Sequence, residues 1–279
     1  MPELPEAETV RAQLEPQIVG ETILQTWARL PRITSPDIEA FVQRTQYQEI
    51  VAARRRGKQI YFPLQSGDNL LVHLGMTGKL HVEPDSDWDA ESLHKHVHGV
   101  LRLSGGKRLV FTDPRTFGKL GVAIELPFLE TLGPEPLDED FPAEQIVEKL
   151  SKRNSKIKAA ILDQGLIAGL GNIYADEVCF QARIHPATIA SNIPLDKLRE
   201  LVSTMRPTLE RAIAARGATL KDGGYQDTFG QYGEFIPQMY GRTGDACDVC
   251  GTIIQRGTLG ASKTARSYHF CSVCQKLEE

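Results

Sequence analysis

The first six residues, Met1-Pro2-Glu3-Leu4-Pro5-Glu6, bring together residue types that could carry out covalent chemistry. Removal of Met1, which is efficient before a residue as small as proline, would leave Pro2 with a free secondary amine. Because an α-amino group titrates near pH ~8, part of it is unprotonated and nucleophilic at neutral pH. Such an amine can attack an aldehyde-level carbon and form an iminium, while Glu3 and Glu6 move protons around it. Proline and acidic residues are also typical of an ordinary helix start, and the hexapeptide taken alone favours that structural interpretation.

Four of the five cysteines predict a metal site. Cys247, Cys250, Cys271 and Cys274 have the spacing C-x2-C-x20-C-x2-C. Each C-x2-C pair can present two thiolates to one ion, and two pairs complete a tetrahedral site with four sulfur ligands on zinc. Disulfides are disfavoured in a cytosolic chain, and four ligands leave no open coordination position, so we expect one structural Zn²⁺. Cys179, in an apolar helical context, is expected to be a buried core thiol.

Composition places the chain among globular proteins and gives no sign of a membrane segment. At 279 residues it is long enough for two domains, and its apolar (41%) and charged (24%) fractions are those of a soluble protein. There is no apolar run of membrane-spanning length and no signal-peptide pattern, so we expect a cytoplasmic protein without a membrane partner.

The charge is segregated along the chain. The formal net charge is −4, yet bases concentrate in Arg54-Arg55-Arg56-Gly57-Lys58 and in residues 149–158, which hold five basic side chains and no acid. Clustering of this kind matters more than the total for a polyanionic partner, although a charge run is more often simply a solvated face.

The elements that must position these residues change type along the chain. A short helix is expected from Glu6 to Ile18, followed by strand-like segments from Thr22 to about Leu126, which indicate an antiparallel sandwich or barrel. Residues 132–136 look like a linker, and the pattern from Ala143 to about Arg216 is helical.

A glycine-rich turn at residues 165–174 joins two of the expected helices. Asn172 is placed to cap the second helix, and the exposed N–H groups at its start would bind a phosphate. A tight structural corner is about as good an interpretation of the glycines. The basic run just before the turn favours a nucleic-acid backbone.

Seven motifs in order along the chain carry a family resemblance. They are Pro2-Glu3-Leu4-Pro5-Glu6, Arg56-Gly57-Lys58, His73-Leu74-Gly75-Met76, Asp113-Pro114-Arg115-Thr116-Phe117-Gly118, Gly171-Asn172-Ile173-Tyr174-Ala175-Asp176-Glu177, Tyr240-Gly241-Arg242, and the four cysteines with Arg266 between them. At these spacings the chain resembles, end to end, the bacterial formamidopyrimidine-DNA glycosylases of base-excision repair. With this resemblance the chemical interpretation of the opening hexapeptide becomes the better one.

The resemblance implies an α+β multidomain fold. It comprises an N-terminal antiparallel β-sandwich with flanking helices, a C-terminal helical (helix-two-turn-helix) domain and a four-cysteine zinc finger. The expected boundaries are 1–130 for the catalytic sandwich, 131–145 for a linker, 146–240 for the helical DNA-binding domain and 241–279 for the finger. The implied partner is double-stranded DNA containing oxidised bases or abasic sites, bound by a monomeric, nucleoid-associated enzyme.

The resemblance also assigns catalytic roles. Pro2 would attack C1′ of the damaged nucleotide, Glu3 would be the main acid and base, and Glu6 would support the site. Lys58 would donate a proton in β-elimination, with a phosphate contact as a second role. Arg266 would grip phosphates at the lesion and serve δ-elimination, for which a planar fork of donors is suited.

The lesion must be flipped out of the duplex, and further residues match the family's DNA contacts. Met76, Arg115 and Phe117 match the wedge that fills the gap, although core packing would otherwise be the interpretation of Met76 and Phe117. His73, His96 and Asn172 match backbone or other DNA contacts, Asn154 stands where a basic residue is common, and Thr219 is a candidate contact to the oxidised base. The remaining histidines, His81, His94, His98, His185 and His269, are expected to be surface or core residues without assigned chemistry.

Two departures from the family pattern bear on substrate choice. Thr116 stands where a second arginine is usual, and residues 223–234 are shorter and different. The leading hypothesis is a glycosylase and AP lyase for 8-oxoguanine and formamidopyrimidines. The alternatives are an endonuclease VIII-type enzyme for oxidised pyrimidines, which usually has glycine where Leu4 stands, and a non-catalytic binder of damaged DNA.

Overall fold

The chain was analysed as a computed structural model, which describes residues 2–86, 89–220, 224–260 and 265–277. These residues form two compact units. Unit 1 comprises residues 1–129 and 215–234, and unit 2 comprises residues 130–214 and 235–279. Residues 215–234 lie within the stretch 146–240 that is expected to form the helical domain, but their contacts join them to the N-terminal part of the chain.

The described part of unit 1 contains a long helix, a short helix and nine strands. In chain order these are α1 (Leu4–Ile18), β1 (Ile23–Ala28), β2 (Thr34–Ser35), α2 (Ile38–Thr45), β3 (Arg54–Arg56), β4 (Gln59–Pro63), β5 (Asn69–His73), β6 (Lys79–Pro84), β7 (Val97–Leu103), β8 (Lys107–Thr112) and β9 (Lys119–Ala123). A single helical turn, α3 (Phe128–Thr131), follows them.

The nine strands form two sheets that share one core. One sheet has the order β1-β7-β8-β6 and the other β2-β9-β5-β4-β3, with antiparallel pairing everywhere except between β2 and β9. Buried residues of both sheets, such as Phe62 and Phe111, belong to one hydrophobic cluster. The predicted antiparallel sandwich is therefore confirmed, and its two layers bury the alternating apolar faces that the sequence shows.

Helix α1 packs on this core through residues three or four positions apart. Ala7, Val10, Leu14 and Ile18 are almost fully buried in the same cluster. Burial of a large aliphatic side chain stabilises the folded state by roughly 1.5–3 kcal/mol, so this stripe holds the helix firmly. The start of α1 is consequently fixed in space.

The described part of unit 2 has four helices of five residues or more and a hairpin. The helices are α4 (Ala143–Ser151), α5 (Ile157–Ile161), α6 (Asn172–Gln181) and α7 (Leu195–Ala214), and the hairpin pairs β10 (Gln255–Leu259) with β11 (Arg266–Phe270). A small cluster that includes Phe180, Met239 and Ile254 packs with three of the cysteines, Cys247, Cys271 and Cys274. These elements confirm the predicted helical region and the four-cysteine module.

The predicted elements agree with the observed ones except at two places. Helix α1 begins two residues earlier than expected, at Leu4, because Pro5 occupies its first turn. Helix α2 lies inside the stretch for which the sequence predicts strands throughout, and the Asp37 side chain caps it by accepting from the Ala40 N–H at 2.8 Å. Within the described residues, no helix is both long and apolar enough to cross a membrane.

Candidate active site and nucleic-acid interface

The candidate nucleophile stands beside two buried carboxylates. Pro2, Glu3 and Glu6 are all buried, with Glu3 and Glu6 each 1% exposed. Glu3 is the N-cap of α1 and accepts from the Glu6 backbone N–H, while Glu6 Oε2 accepts from the Glu3 N–H at 2.7 Å. This reciprocal capping box fixes both acids relative to Pro2. The structure thus brings together the three residues that the sequence proposes for covalent chemistry.

The second oxygen of Glu6 holds a segment that is distant in sequence. Glu6 Oε1 accepts from the Ala218 N–H at 2.7 Å, and Gly217 precedes it with φ +81°. A Cβ at residue 217 would lie 2.7 Å from Glu6 Oε1, so both the backbone conformation and the close approach require glycine. Residues 217–219 therefore lie directly against the candidate catalytic carboxylates.

The Thr219 side chain forms two hydrogen bonds within this part of the chain. Its hydroxyl donates to the Tyr225 carbonyl at 3.1 Å and accepts from the Gly233 N–H at 2.8 Å. Tyr225 lies in the core of unit 1, where burial, followed by the charges of Glu6 and Asp227, raises the pKa of its hydroxyl. The Thr219 side chain thus links the segment around Ala218 to Tyr225 and Gly233.

Helix α1 also fastens the far end of the same loop. Gln13 Nε2 donates to Asp227 at 3.0 Å, and Gln13 Oε1 accepts from the Thr228 N–H and hydroxyl at 3.1 and 2.8 Å. Asp227 in turn accepts from the N–H groups of Phe229 and Gln231. One helix therefore carries the candidate catalytic residues and positions both ends of the loop beside them.

Lys58 lies in the tight turn between β3 and β4. Gly57 supplies the positive φ (+58°), and Arg55 donates to the Gly57 carbonyl at 2.9 Å and to Glu8 at 2.9 Å. Burial alone would raise the pKa of Glu8, but hydrogen bonds from Arg11 and Arg55 outweigh it and lower that pKa. Glu8 and Arg55 thus join the turn that carries Lys58 to α1.

His73 lies at the end of β5, opposite Gln59 on one side and Lys119 on the other. Its Nδ1 accepts from the Gly75 N–H at 2.9 Å, which places the proton of the neutral ring on Nε2. Burial, followed by the charge of Lys58, lowers the pKa of His73. The ring is therefore neutral at pH 7 and has an N–H donor suited to an anionic oxygen.

The candidate wedge residues come from two loops that touch. A Cβ at Gly75 would lie 2.5 Å from the Gly118 nitrogen, so the loop before Met76 and the loop that carries Phe117 are in backbone contact. Phe117 is 53% exposed, although it is a large apolar residue, and the Arg115 guanidinium lies 5.2 Å from the centre of its ring. The Phe117 ring is therefore not packed in the core.

Asp113 shapes the loop that carries Arg115 and Phe117. This fully buried carboxylate accepts from the Thr77 hydroxyl at 2.5 Å, the Arg115 N–H at 3.2 Å and the Gly118 N–H at 2.7 Å. The Asp113 N–H donates to the His96 carbonyl, so the half-buried His96 adjoins the same loop. Met76, Arg115, Phe117 and His96 therefore lie on loops that contact one another.

In unit 2, one sequence prediction about the glycine-rich turn is wrong. Asn172 does not cap α6. The N-cap is Gly171, in an extended conformation, and no side chain makes a capping hydrogen bond. The Asn172 Oδ1 atom is instead buried without a hydrogen-bond partner among the described residues. A buried amide oxygen without a partner is a position at which a hydrogen-bond donor, such as a water molecule, could complete the bonding.

Much of the basic run before this turn is neutralised by acids. Lys152 pairs with Glu148 at 2.5 Å and Arg153 with Asp163 at 2.8 Å. The run is therefore less cationic than its sequence suggests. Asn154 is exposed and accepts from the Ser191 hydroxyl at 3.1 Å.

Lys158, the last residue of that run, is fully buried and so cannot meet a polyanion. Its ammonium group donates to Asp176 at 2.7 Å, to the Ser267 carbonyl at 2.7 Å and to the Asn172 carbonyl at 3.2 Å. Asp176 also accepts from the backbone N–H and Nδ1 of His269 at 3.0 and 2.9 Å. This buried network joins α5, α6 and β11, whose first residue is the exposed Arg266.

The four cysteines of the C-x2-C pairs form a cluster that could hold a metal ion. Their Sγ atoms lie within 4.8 Å of one another, with Cys247 and Cys274 3.9 Å apart and Cys250 and Cys271 3.4 Å apart. A tetrahedron with metal–sulfur bonds of about 2.3 Å has sulfur separations of about 3.8 Å, so the donor set fits such an ion. Cys179, predicted to be a core thiol, is fully buried, and burial raises its pKa.

Several residues that shape the site have no role in the sequence analysis. Glu8 and Gln13 position other residues and belong to none of the seven motifs. Asp113 and Asp176 lie within two of those motifs, but the sequence alone gives neither carboxylate a positioning role. Only their buried partners reveal what they do.

Comparison with known proteins supplies independent evidence. Residues 1–120 match the family model described as the formamidopyrimidine-DNA glycosylase N-terminal domain, and residues 132–223 match the formamidopyrimidine-DNA glycosylase H2TH domain. Formamidopyrimidine-DNA glycosylases of Carboxydothermus hydrogenoformans and Herpetosiphon aurantiacus are 39% and 38% identical, over 99% of this chain and 100% of each relative.

Solved structures agree with these matches. The MutM (Fpg) protein from Thermus thermophilus is 36% identical with a TM-score of 0.86, and all of both chains is covered. Lactococcus lactis Fpg in complex with an abasic site containing DNA is 34% identical with a TM-score of 0.89, over 99% of this chain and 100% of that one. A further complex holds a Lactococcus lactis Fpg mutant with a Fapy-dG containing DNA.

Proposed function

The chain belongs to the formamidopyrimidine-DNA glycosylase family, and we propose that it excises 8-oxoguanine and formamidopyrimidines from duplex DNA and then cleaves the strand. The observation that carries this proposal is the buried start of α1, where Pro2 adjoins Glu3 and Glu6, in a chain that matches such enzymes over their full length. The DNA complexes of the Lactococcus lactis enzyme support double-stranded DNA as the partner.

Base excision begins at Pro2, once removal of Met1 has freed its amine. The amine lone pair forms a bond to C1′ of the damaged nucleotide, and the glycosidic bond breaks as the base leaves with its electron pair and takes up a proton. Glu3 exchanges the protons of this step. The amine loses its proton, the C1′–O4′ bond breaks and O4′ takes up a proton, so the sugar ring opens and an iminium is left between Pro2 and C1′. Glu6 keeps Glu3 and the segment around Ala218 in place throughout.

Strand cleavage follows because the iminium acidifies the adjacent carbon. Loss of a C2′ proton expels the 3′-phosphate in β-elimination, and a second elimination expels the 5′-phosphate. We assign proton transfer in the first elimination to Lys58, whose turn is joined to α1 by Arg55 and Glu8. We assign the phosphate grip and the second elimination to Arg266 at the start of β11.

The remaining predicted residues are assigned to the DNA interface. Exposed Phe117, Arg115 and the half-buried Met76 would fill the space left by the flipped base, with Arg115 donating to the unpaired cytosine. His73, through Nε2–H, and Asn172 would contact phosphates, and His96, Asn154 and the backbone near Thr219 would contribute further contacts. The domain boundaries of the sequence analysis remain part of this proposal, as do a monomeric state and a cytoplasmic, nucleoid-associated location.

We assign one structural Zn²⁺ to Cys247, Cys250, Cys271 and Cys274. The four sulfur donors fill a tetrahedral shell, so the ion would stabilise the hairpin that carries Arg266 and would not bind substrate. The hydrogen bond from Lys158 to the Ser267 carbonyl supports the same hairpin.

Borohydride trapping with three duplexes tests the function. Wild-type protein, confirmed by mass spectrometry to begin at Pro2, is incubated with duplexes that carry 8-oxoguanine opposite cytosine, an oxidised pyrimidine or an abasic site. A covalent adduct with the first and third supports the proposal, whereas preference for the pyrimidine duplex supports the endonuclease VIII-type alternative. Absence of any adduct leaves only the non-catalytic binder. The matched control is the same protein with Met1 retained, which should bind the abasic duplex but form no adduct.

A further inference from the structure

Several cations lie near one end of neighbouring strands in the five-stranded sheet of unit 1. They include Lys58, whose charge is felt by His73, and Lys119, which is paired with His73 across β5 and β9. The Lys119 ammonium donates to the backbone carbonyl of Arg32 at 2.7 Å. The Arg32 guanidinium in turn reaches the loop that carries Arg115 and Phe117.

Arg32 is fixed on that loop by a defined hydrogen bond. Its Nη2 donates to the Thr116 hydroxyl at 2.5 Å, and that hydroxyl donates to the Arg115 carbonyl at 2.8 Å. Thr116 has φ +55°, an uncommon conformation for a β-branched residue, and it is held there by the turn around Asp113. The guanidinium thus lies beside the candidate wedge, although Arg32 is more than 80 positions away in sequence.

Three of these cations, Arg32, Lys119 and Arg115, have no acidic partner among the described residues, unlike several other arginines of the chain. Arg32, Lys119 and Arg115 are exposed, and none has a carboxylate within ion-pairing distance among the residues the structure describes. By contrast, Arg11, Arg44, Arg102 and Arg199 each form an ion pair. The hydroxyl of Thr116 takes one guanidinium N–H of Arg32, and the other N–H groups have no described partner. An oriented guanidinium with open donors is suited to a phosphate.

We propose that Arg32 and Lys119 form a further phosphate-binding site, which holds the DNA backbone next to the Arg115–Phe117 wedge. The proposal rests on the DNA-binding function proposed above. Its physical basis is preorganisation: both side chains are already tethered to the loop and to the turn of residues 31–33, so little side-chain freedom is lost when a phosphate binds. Each phosphate neutralised also releases counterions, which makes the contact dependent on salt.

The test measures binding and its salt dependence. Fluorescence anisotropy with a duplex that carries a tetrahydrofuran abasic-site analogue gives the dissociation constant at several salt concentrations. Replacement R32A should weaken binding by roughly tenfold and should reduce the slope of log K against log salt by about one. R32K should keep most of the slope because it keeps the charge, and K119A should lower the slope in the same direction as R32A.

A compensating variant separates loss of charge from loss of loop structure. Since residue 116 already accommodates a non-glycine side chain at positive φ, R32A/T116R should return a guanidinium to the same place and restore both affinity and slope. The matched control R199A, which removes an exposed, paired arginine from α7, should change neither.

The proposal is overturned by an R32A protein that binds with wild-type affinity and slope. It is also overturned if R32A lowers the affinity but leaves the salt slope unchanged, or if R32A/T116R does not restore binding. In either case Arg32 would support the loop structure and would not bind a phosphate. Circular dichroism confirms that each variant is folded. Trapping of the wild-type protein on an abasic duplex is a separate readout, so failure of the proposed enzymatic function is distinguishable from failure of this site.

Discussion

At the scale of single residues, both carboxylate oxygens of Glu6 accept a hydrogen bond from the backbone. Oε2 accepts from the Glu3 N–H and Oε1 from the Ala218 N–H, both at 2.7 Å, and the side chain is 1% exposed. A carboxylate can satisfy two donors that approach from opposite sides, whereas an amide of the same shape presents one acceptor and one donor. A glutamate at residue 6 is therefore required by its two N–H donors as well as by its expected role in the reaction.

Replacement of Glu6 by glutamine should accordingly lower both stability and reaction rate. The amide NH2 would face one of the two N–H donors, so we expect the free energy of unfolding to fall by about 1–3 kcal/mol. The rate of adduct formation on an abasic duplex should fall as well, because the Glu3 N-cap loses its anchor. Urea denaturation and single-turnover trapping measure the two effects.

Glu15→Gln is the matched control for this prediction. Glu15 lies on the same helix, is half exposed and, among the described residues, forms an ion pair with Arg11 alone, so its replacement should cost less than ~1 kcal/mol. Equal losses in the two variants would show that Glu6 has no special position in the site.

At the scale of elements, the Lys158–Asp176–His269 network joins two helices and a hairpin that the sequence separates widely. Both Lys158 and Asp176 side chains are 0% exposed, and the carboxylate accepts from a lysine and from two groups of a histidine. A buried ion pair adds little to stability by itself, but removal of one partner leaves an uncompensated charge in the interior. The network therefore fixes how β11, and Arg266 with it, sits on α6.

Asp176→Asn should be strongly destabilising for unit 2. We expect a loss of roughly 3–5 kcal/mol, because the Lys158 ammonium would stay buried without a counter-charge. Asp163→Asn removes the partner of Arg153 in a pair that is about two-fifths exposed and should cost no more than ~1 kcal/mol. Thermal or chemical denaturation measures the loss of stability in the two variants. A loss for Asp176→Asn as small as that for Asp163→Asn would contradict the prediction.

At the scale of the whole molecule, the division into two units predicts that metal loss affects the structure of unit 2 and leaves the core of unit 1 folded. All four cysteines belong to unit 2, where Cys247 and Cys271 pack with Phe180 and Met239. Cys250→Ser should therefore lose the metal and weaken DNA binding, while the core of unit 1 stays folded. Elemental analysis and anisotropy measure the first two effects, and near-ultraviolet circular dichroism measures the third.

Cys179→Ala controls for the loss of a thiol elsewhere in unit 2. It removes a buried sulfur that is no part of the metal cluster, so the protein should retain the metal even if its stability falls. Retention of one equivalent of metal by Cys250→Ser would refute the four-cysteine assignment.

The sequence anticipates local features better than long-range ones. Strands β4, β5, β7 and β8 are predictable because alternation of apolar residues is a local pattern, and the cysteine spacing is local within each pair. The burial of Lys158 is not predictable, because a lysine that will meet a buried aspartate looks the same in sequence as its solvated neighbours. The capping prediction for Asn172 is wrong because the extended conformation of Gly171 serves as the cap without a side chain.

The bond between Glu6 and Ala218 has a consequence for the order of events during synthesis. Its two residues are 212 positions apart, and Tyr225, which completes the core around α1, leaves the ribosome later still. At a translation rate of roughly 5–20 residues per second, the amino-terminal sandwich waits about ten seconds for its last segment while all of α4 to α7 emerges. During that interval the reactive amine and its acids are already made but not yet assembled, so the enzyme acquires its chemistry only near the end of its own translation.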